Sequence, residues 1–286
     1  MKLLILFLSI LISLASASKY SKLLVTANLR NASSFVLDLQ KQIVCADFPD
    51  FPIRDVAGAS GGLLKQKYPF VCNGNGAEAI NQCFLYRNDQ WTSSLILPPQ
   101  DIFSRMVALN DTTVWITGGF GNSSLSILVN PMENRILYGP KLRRGVIDHC
   151  MVNIDGNNVF IISGDQHHHK DLRHTQVYTF SSNVWQDGPD LLQTALVPAC
   201  ALVTLSSGKR IIVVADDLTT QYLELGAGTG WRYGPPIPYY IPQPTMVPID
   251  DNGSALLFGF GTGTKILRYN CSNGNPNNCS WVELDL

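Results

Sequence analysis

Charge is scarce in this chain. Only 15% of its 286 residues are charged, four are glutamate, and the formal net charge is −1. No basic run exists, which argues against nucleic acid or an anionic membrane as the main partner. Beyond residue 17 no stretch approaches the ~18 apolar residues of a transmembrane helix, so no membrane span is expected. No C-x-x-C pair or His/Cys zinc spacing occurs, and neither a structural metal nor a cofactor is expected. A G-x-S-x-G elbow and a phosphate-binding glycine loop in the right context are absent too. Seven cysteines are too few for a disulfide-scaffold miniprotein but suit a secreted domain with a few bridges.

Glycine and proline are common, with 23 and 16 copies, which suits a β-rich fold with many turns. The N-terminus reads MKLLILFLSILISLASA. A lysine, an apolar run and Ala15-Ser16-Ala17 form a secretory signal peptide, residues 1–17, expected to be cut after Ala17. The run is short for a membrane anchor, and small residues follow it at once. The remaining chain, 18–286, is then secreted. Five sequons begin at Asn31, Asn110, Asn122, Asn252 and Asn278, each an expected glycan acceptor in that setting.

Six short segments look alike: LLVTAN, PFVCNG, VWITGG, VFIISG, IIVVAD and ALLFGF. Aligned at Asn28, Gly74, Gly119, Gly164, Ala215 and Phe260, they step by 46, 45, 45, 51 and 45 residues. A period of that size marks a repeat architecture. After each segment come a polar loop and a strand with an aromatic (QCFLYR, TQVYTF, QYLEL, KILRYN). Trp91, Trp185, Trp231 and Trp281 follow, with the missing member near Arg135. Then come turn residues with proline (LPP, YGP, DGP, YGPP) and another apolar segment (SRMVAL, HCMVNI, ACALVTL, TMVPI). Each unit therefore holds four short strands, a to d. Four-stranded antiparallel units repeated about six times make a β-propeller, whose radial closure protects sheet edges. The tryptophans are expected to pack between neighbouring blades rather than bind a ligand.

The diglycine Gly118-Gly119 after VWIT, and the pairs Tyr178…Trp185 and Tyr222…Trp231, carry a resemblance to the kelch-repeat family. It covers nearly all of the chain after the signal segment and is degenerate, since only blade 3 keeps both glycines. The chain looks most like the secreted six-bladed kelch proteins of invertebrates. The resemblance implies an all-β, six-bladed propeller with blades near 22–54, 55–99, 100–142, 143–190, 191–238 and 239–286. Fold alone does not imply function.

Strand counting leaves the first blade short. It begins at strand b (KLLVTAN), and the last blade ends on strand d (SWVELDL), so the first blade is expected to lack its innermost strand. In kelch-like propellers a C-terminal strand commonly returns to fill that place; here it would lie beyond Leu286. An unpaired inner edge is a liability. Bridges Cys72–Cys83 and Cys271–Cys279 are expected across single loops. Cys150 and Cys200 hold like positions in strand a of adjacent blades, where an interblade bridge and two buried thiols are both open readings. Cys45 is left over, as a free thiol or an intermolecular partner.

The segment SGDQHHHKD, residues 163–171, falls on the b–c loop of blade 4 and carries Asp165, His167, His168 and His169, with His174 close behind. His167 and His169 could chelate with His174 or Asp165, but a loop without rigid support binds metal weakly and unspecifically, so no metal is assigned. The b–c and d–a loops share one face of a propeller. Arg105, Arg143, Arg144, Tyr239 and Tyr240 belong to the d–a loops, and Asp216 and Asp217 to the b–c loop of blade 5. Sequons are absent from this face in blades 4 to 6. Loops carry function, and Tyr and Arg are common interface anchors. These twelve residues form the expected binding surface. His149, just before strand a of blade 4, reads as a satisfied core residue.

The expected function is a non-enzymatic binding module for an extracellular protein or glycan. The alternative is a propeller enzyme. A copper oxidase like galactose oxidase needs two Tyr, a Cys and two His on one metal, and no cysteine stands beside Tyr239, Tyr240 and the histidines. A sialidase-like reading needs an arginine trio, which Arg105, Arg143 and Arg144 resemble, but the S-x-D-x-G-x-T-W box is absent. Glu78 is the one glutamate on the b–c face.

Overall fold

Short apolar runs broken by Gly, Pro, Asn and Asp are too brief for helices and pair instead with their chain neighbours. The computed structural model describes the backbone of Leu8–Leu14, Lys22–Ala27, Ser34–Asp38 and Ile43–Cys45. It describes residues 48–284 except 54–57, 66, 73–80, 99–102, 166–171, 216, 229, 250–252, 260–265, 273–274 and 276. The fold is an all-β propeller of four-stranded antiparallel blades. Five blades are described with their side chains.

Blade 2, keeping the sequence numbering, holds β5 (Ser60–Leu64), β6 (Tyr68–Cys72), β7 (Gln82–Arg87) and β8 (Gln90–Ile96). Blade 3 holds β9 (Arg105–Ala108), β10 (Val114–Thr117), β11 (Ser126–Asn130) and β12 (Arg135–Tyr138). Blade 4 holds β13 (Cys150–Asn153), β14 (Asn158–Ile162), β15 (Thr175–Thr179) and β16 (Val184–Asp187). Blade 5 holds β17 (Ala199–Leu205), β18 (Gly208–Val214), β19 (Thr220–Glu224) and β20 (Arg232–Tyr233). Blade 6 holds β21 (Thr245–Pro248), β22 (Ala255–Phe258), β23 (Ile266–Cys271) and β24 (Cys279–Leu284).

A further sheet is formed by β1 (Leu8–Leu14), β2 (Lys22–Ala27), β3 (Ser34–Asp38) and β4 (Ile43–Cys45), in that order. This corrects the expectation that the sheet lacks its inner strand. Leu8–Leu14, an uncharged run read as part of a signal peptide, pairs antiparallel with β2 from Leu8↔Ala27 to Leu14↔Lys22. β1 also contacts β5 and β21, so it occupies the innermost place. A strand needs only backbone pairing and apolar surroundings, and the h-region composition of a signal peptide meets both.

The cores lie between blades rather than within them. Leu64, Phe70 and Leu85 of blade 2 pack on Met106, Val114 and Ile127 of blade 3. Val152 and Ile162 of blade 4 pack on Ile211 and Val213 of blade 5. Ala201 and Ile212 of blade 5 pack on Leu257 and Tyr269 of blade 6. The tryptophans tie these seams, as the sequence implied. Trp231 Nε1 donates to Pro189 O at 2.8 Å, Trp281 Nε1 to Pro235 O at 3.1 Å, and Trp91 Nε1 to Pro49 O at 3.3 Å. Each indole thus reaches the proline that follows the outer strand of the preceding unit.

The diglycine is required by backbone and crowding. Gly118 and Gly119 have φ of 66° and 114°. A Cβ on Gly118 would collide with Val146 O and lie 2.9 Å from His149 Cε1. Left-handed backbone and close approach both select glycine. Gly164, with φ of 92°, presses on His149 in the same way. Among the described residues three disulfides form. Cys72–Cys83 and Cys271–Cys279 each join facing residues of neighbouring strands, and Cys150–Cys200 joins the inner strands of blades 4 and 5 with Cα atoms 5.9 Å apart. The Cys150–Cys200 alternative is thereby decided in favour of the bridge.

Candidate functional site

The inner strands begin where the d–a loops end. Around the axis these starts enclose a cavity of about 220 Å³, lined by Gly58–Gly61, Phe103, Arg105, Met106, Asp148–Met151, Pro198–Cys200 and Gln243–Val247. It lies on the face of the b–c and d–a loops. Three non-glycine residues at its rim, Phe103, Asp148 and Gln243, have φ of 67°, 51° and 45°. Each stands two residues before an inner strand. Left-handed backbone at bulky residues costs free energy and gathers at functional sites.

Arg105 enters this cavity, as does Asp148, which the sequence reading passed over. Arg105 Nη2 lies 2.9 Å from Asp148 Oδ1. Burial lifts the Asp148 carboxyl above the usual range, Arg105 pulls it back, and nearby Asp165 pushes it up again. His149 is fully buried, with Nε2 2.8 Å from Thr117 Oγ1. Burial, with Arg105 nearby, holds its pKa well below 6.5, so it is neutral at physiological pH. The burial fits the expected core role, but the ring is only half satisfied, since Nδ1 has no hydrogen-bond partner among the described residues.

The other expected residues are dispersed. Asp165 pairs by its backbone with Ile147, whose N–H donates to Asp165 O at 2.9 Å. Arg143 is half-exposed and lies 3.4 Å from Asp187 Oδ1. Arg144 is held by its backbone: its O accepts from Gln176 Nε2 at 2.9 Å. The cavity lining includes neither, so Arg105, Arg143 and Arg144 form no trio there. His167, His168, His169, Asp216 and Glu78 lie outside the described residues. His174 is buried rather than exposed, with its ring nitrogens 3.6 Å from Asp187 Oδ1 and 3.7 Å from Asp190 Oδ1. Asp217 is exposed. Burial raises its carboxyl, but hydrogen bonds from Thr219 and Gln193 outweigh that and hold it below the usual range. Tyr239 is not a surface anchor: it packs against the seam of blades 5 and 6, and burial with the Glu283 carboxylate pushes its phenol up to about 12. Tyr240, its neighbour, is 55% exposed.

Apolar side chains stand out on the same face. Phe120 is 53% exposed on the b–c loop of blade 3; Leu192 and Leu196, on the d–a loop between blades 4 and 5, are 40% and 43% exposed. A buried glutamine holds that loop. Gln221 Oε1 accepts from the N–H groups of Leu192 at 2.6 Å and Gln193 at 3.1 Å, and Gln221 Nε2 donates to Gln193 O at 3.1 Å. Gln176 holds Arg144 in blade 4 from the same strand position. The sequence signal was the repeated Thr-Gln opening β15 and β19, which went unread. Of the sequons, Asn110, Asn122 and Asn278 are exposed, while Asn31 and Asn252 lie outside the described residues. Among the described residues no group of three or more His, Cys, Asp or Glu is arranged to hold a metal ion, and no helix is long and apolar enough to cross a membrane.

No protein-family model matches the chain, and no curated protein does. Among solved structures the chain is similar to YjhT, with a TM-score of 0.77 at 11% identity over 98% of each chain. The chain is a β-propeller. At that identity the likeness carries the fold and nothing about ligand or reaction.

Proposed function

We propose that the protein is a secreted, non-enzymatic binding module of the kelch type. Its six blades include the β1–β4 sheet, so residues 8–14 stay with the mature chain instead of leaving at the expected cut after Ala17, and it docks an extracellular protein or glycan on the b–c and d–a face. The observation that carries this reading is one face combining a polar axial cavity with exposed apolar side chains on preorganised loops. Phe120, Leu192, Leu196 and Tyr240 supply that apolar area. Loops already held by Gln176 and Gln221 lose little freedom on binding. Three disulfides support an oxidising compartment, and the exposed sequons Asn110, Asn122 and Asn278 support a glycoprotein. The test is a glycan array and a panel of extracellular proteins, probed with the wild type and with the Leu196→Asp/Tyr240→Asp variant. Ligands bound by the first and lost by the second support the reading. Equal binding by both contradicts it.

Asp148 favours a second reading, an enzyme on a glycan held in the cavity. A buried carboxyl lifted above its usual range suits a general acid. Turnover of a bound glycan, abolished by Asp148→Asn, would establish that reading.

A further inference from the structure

Two opposite charges meet inside the axial cavity, and both are fixed. Arg105 and Asp148 are in contact at 2.9 Å, and their side chains are only 27% and 20% exposed. Arg105 Nη1 also donates to Ser104 O at 3.4 Å, and the Asp148 N–H donates to Phe103 O at 3.1 Å. Asp165 lies near enough to raise the Asp148 carboxyl, while the adjacent His149 is neutral. Beside the pair the lining also carries apolar side chains, Phe103, Met106, Met246 and the Cys150–Cys200 bridge. The cavity is therefore strongly dipolar.

A ligand with one charge fits such a site poorly. An anion that took Arg105 would strip Asp148 of its partner, and a cation that took Asp148 would strip Arg105. Breaking a largely buried pair from one side leaves an uncompensated charge and is costly. A ligand with both charges on neighbouring atoms satisfies both partners at once. The cavity, about 220 Å³, is smaller than most drug-sized pockets, which selects a small molecule.

Building on the reading of this face as a binding surface, we propose that the axial cavity takes a small zwitterion of the α-amino acid class. Its carboxylate sits on Arg105, its ammonium on Asp148, and its short apolar side chain against Met106 and Met246. Phe103 and Gln243, held in left-handed backbone at the rim, set the width of the entrance.

Titration calorimetry on the full chain tests this with alanine, valine and methionine, and with acetate and methylammonium as single-charge controls. The expected result is one saturable site, with at least one amino acid binding about tenfold or more tighter than either control. Arg105→Met and Asp148→Asn should each weaken that binding by a similar factor. The ligand ratio on the wild-type protein decides the matter even where a variant fails to fold. Acetate binding as tightly as the amino acids, or no amino acid binding up to about 10 mM, overturns the proposal. Glycan or protein docking that persists while no amino acid binds overturns it too, and leaves the reading of the face standing.

Discussion

Replacing Trp231 by phenylalanine removes one interblade hydrogen bond and part of one ring. The indole is 5% exposed and donates to Pro189 O at 2.8 Å. That carbonyl keeps a second donor, Thr175 Oγ1 at 2.8 Å, so it is not left bare. The bond is then worth about 1 kcal/mol. The space vacated by the smaller ring costs about 1 to 2 kcal/mol more. In a chain of this size each kcal/mol moves the melting point by about 2 °C or more, so the variant should melt roughly 4 to 8 °C lower. Trp115 provides the contrast. It is fully buried, and its indole nitrogen has no hydrogen-bond partner among the described residues. Trp115→Phe opens a similar void but relieves a buried unsatisfied donor worth about 1 to 3 kcal/mol. Its stability should stay within about 1 kcal/mol of the wild type. Urea and thermal unfolding of both variants check this. Equal losses in the two, or no loss in Trp231→Phe, would refute the reasoning that indole N–H bonds bind the blades together.

Other outcomes follow from the same contacts. Arg210 is buried, 2.6 Å from Glu224 Oε1 and 3.9 Å from the Tyr222 ring centre, so Arg210→Met should cost about 3 to 5 kcal/mol in urea unfolding. Replacing Cys150 and Cys200 together by alanine opens a 50-residue link between blades 4 and 5 and should cost about 3 to 5 kcal/mol. His149 binds protons less readily folded than unfolded, so its stability contribution is whole above pH 6.5 and is lost as pH falls below that value. His149→Gln should flatten that acid-side decline in melting scans taken across pH. A chain starting at Ser18 lacks β1, which exposes the inner edge of β2, and should melt lower than the full chain.

The repeat period located the blades because strand alternation and tryptophan spacing are local properties of the sequence. The local bridges Cys72–Cys83 and Cys271–Cys279 were legible for the same reason. The first sheet was misread because an apolar run fits a signal peptide and an inner strand equally well. At the site, Arg105 was found by its loop position, but Asp148 was not: its role depends on a left-handed turn that brings it onto Arg105 of the neighbouring blade, 43 residues away. Tyr239 and Tyr240 are adjacent and chemically alike, yet one packs on the Glu283 side of the seam and the other faces solvent. Which of two tyrosines turns inward is set by the neighbouring blade, and no local pattern encodes it.

The central claim is that ligands dock on the b–c and d–a face. Hydrogen exchange on the protein, free and bound to a ligand selected from the array or the panel, tests it most directly. The account predicts protection in the loops around Phe120, Leu192, Leu196 and Tyr240 and at the cavity rim near Phe103 and Gln243. Protection confined to the opposite face, around Asn110, Asn134 and Asn183, would contradict it.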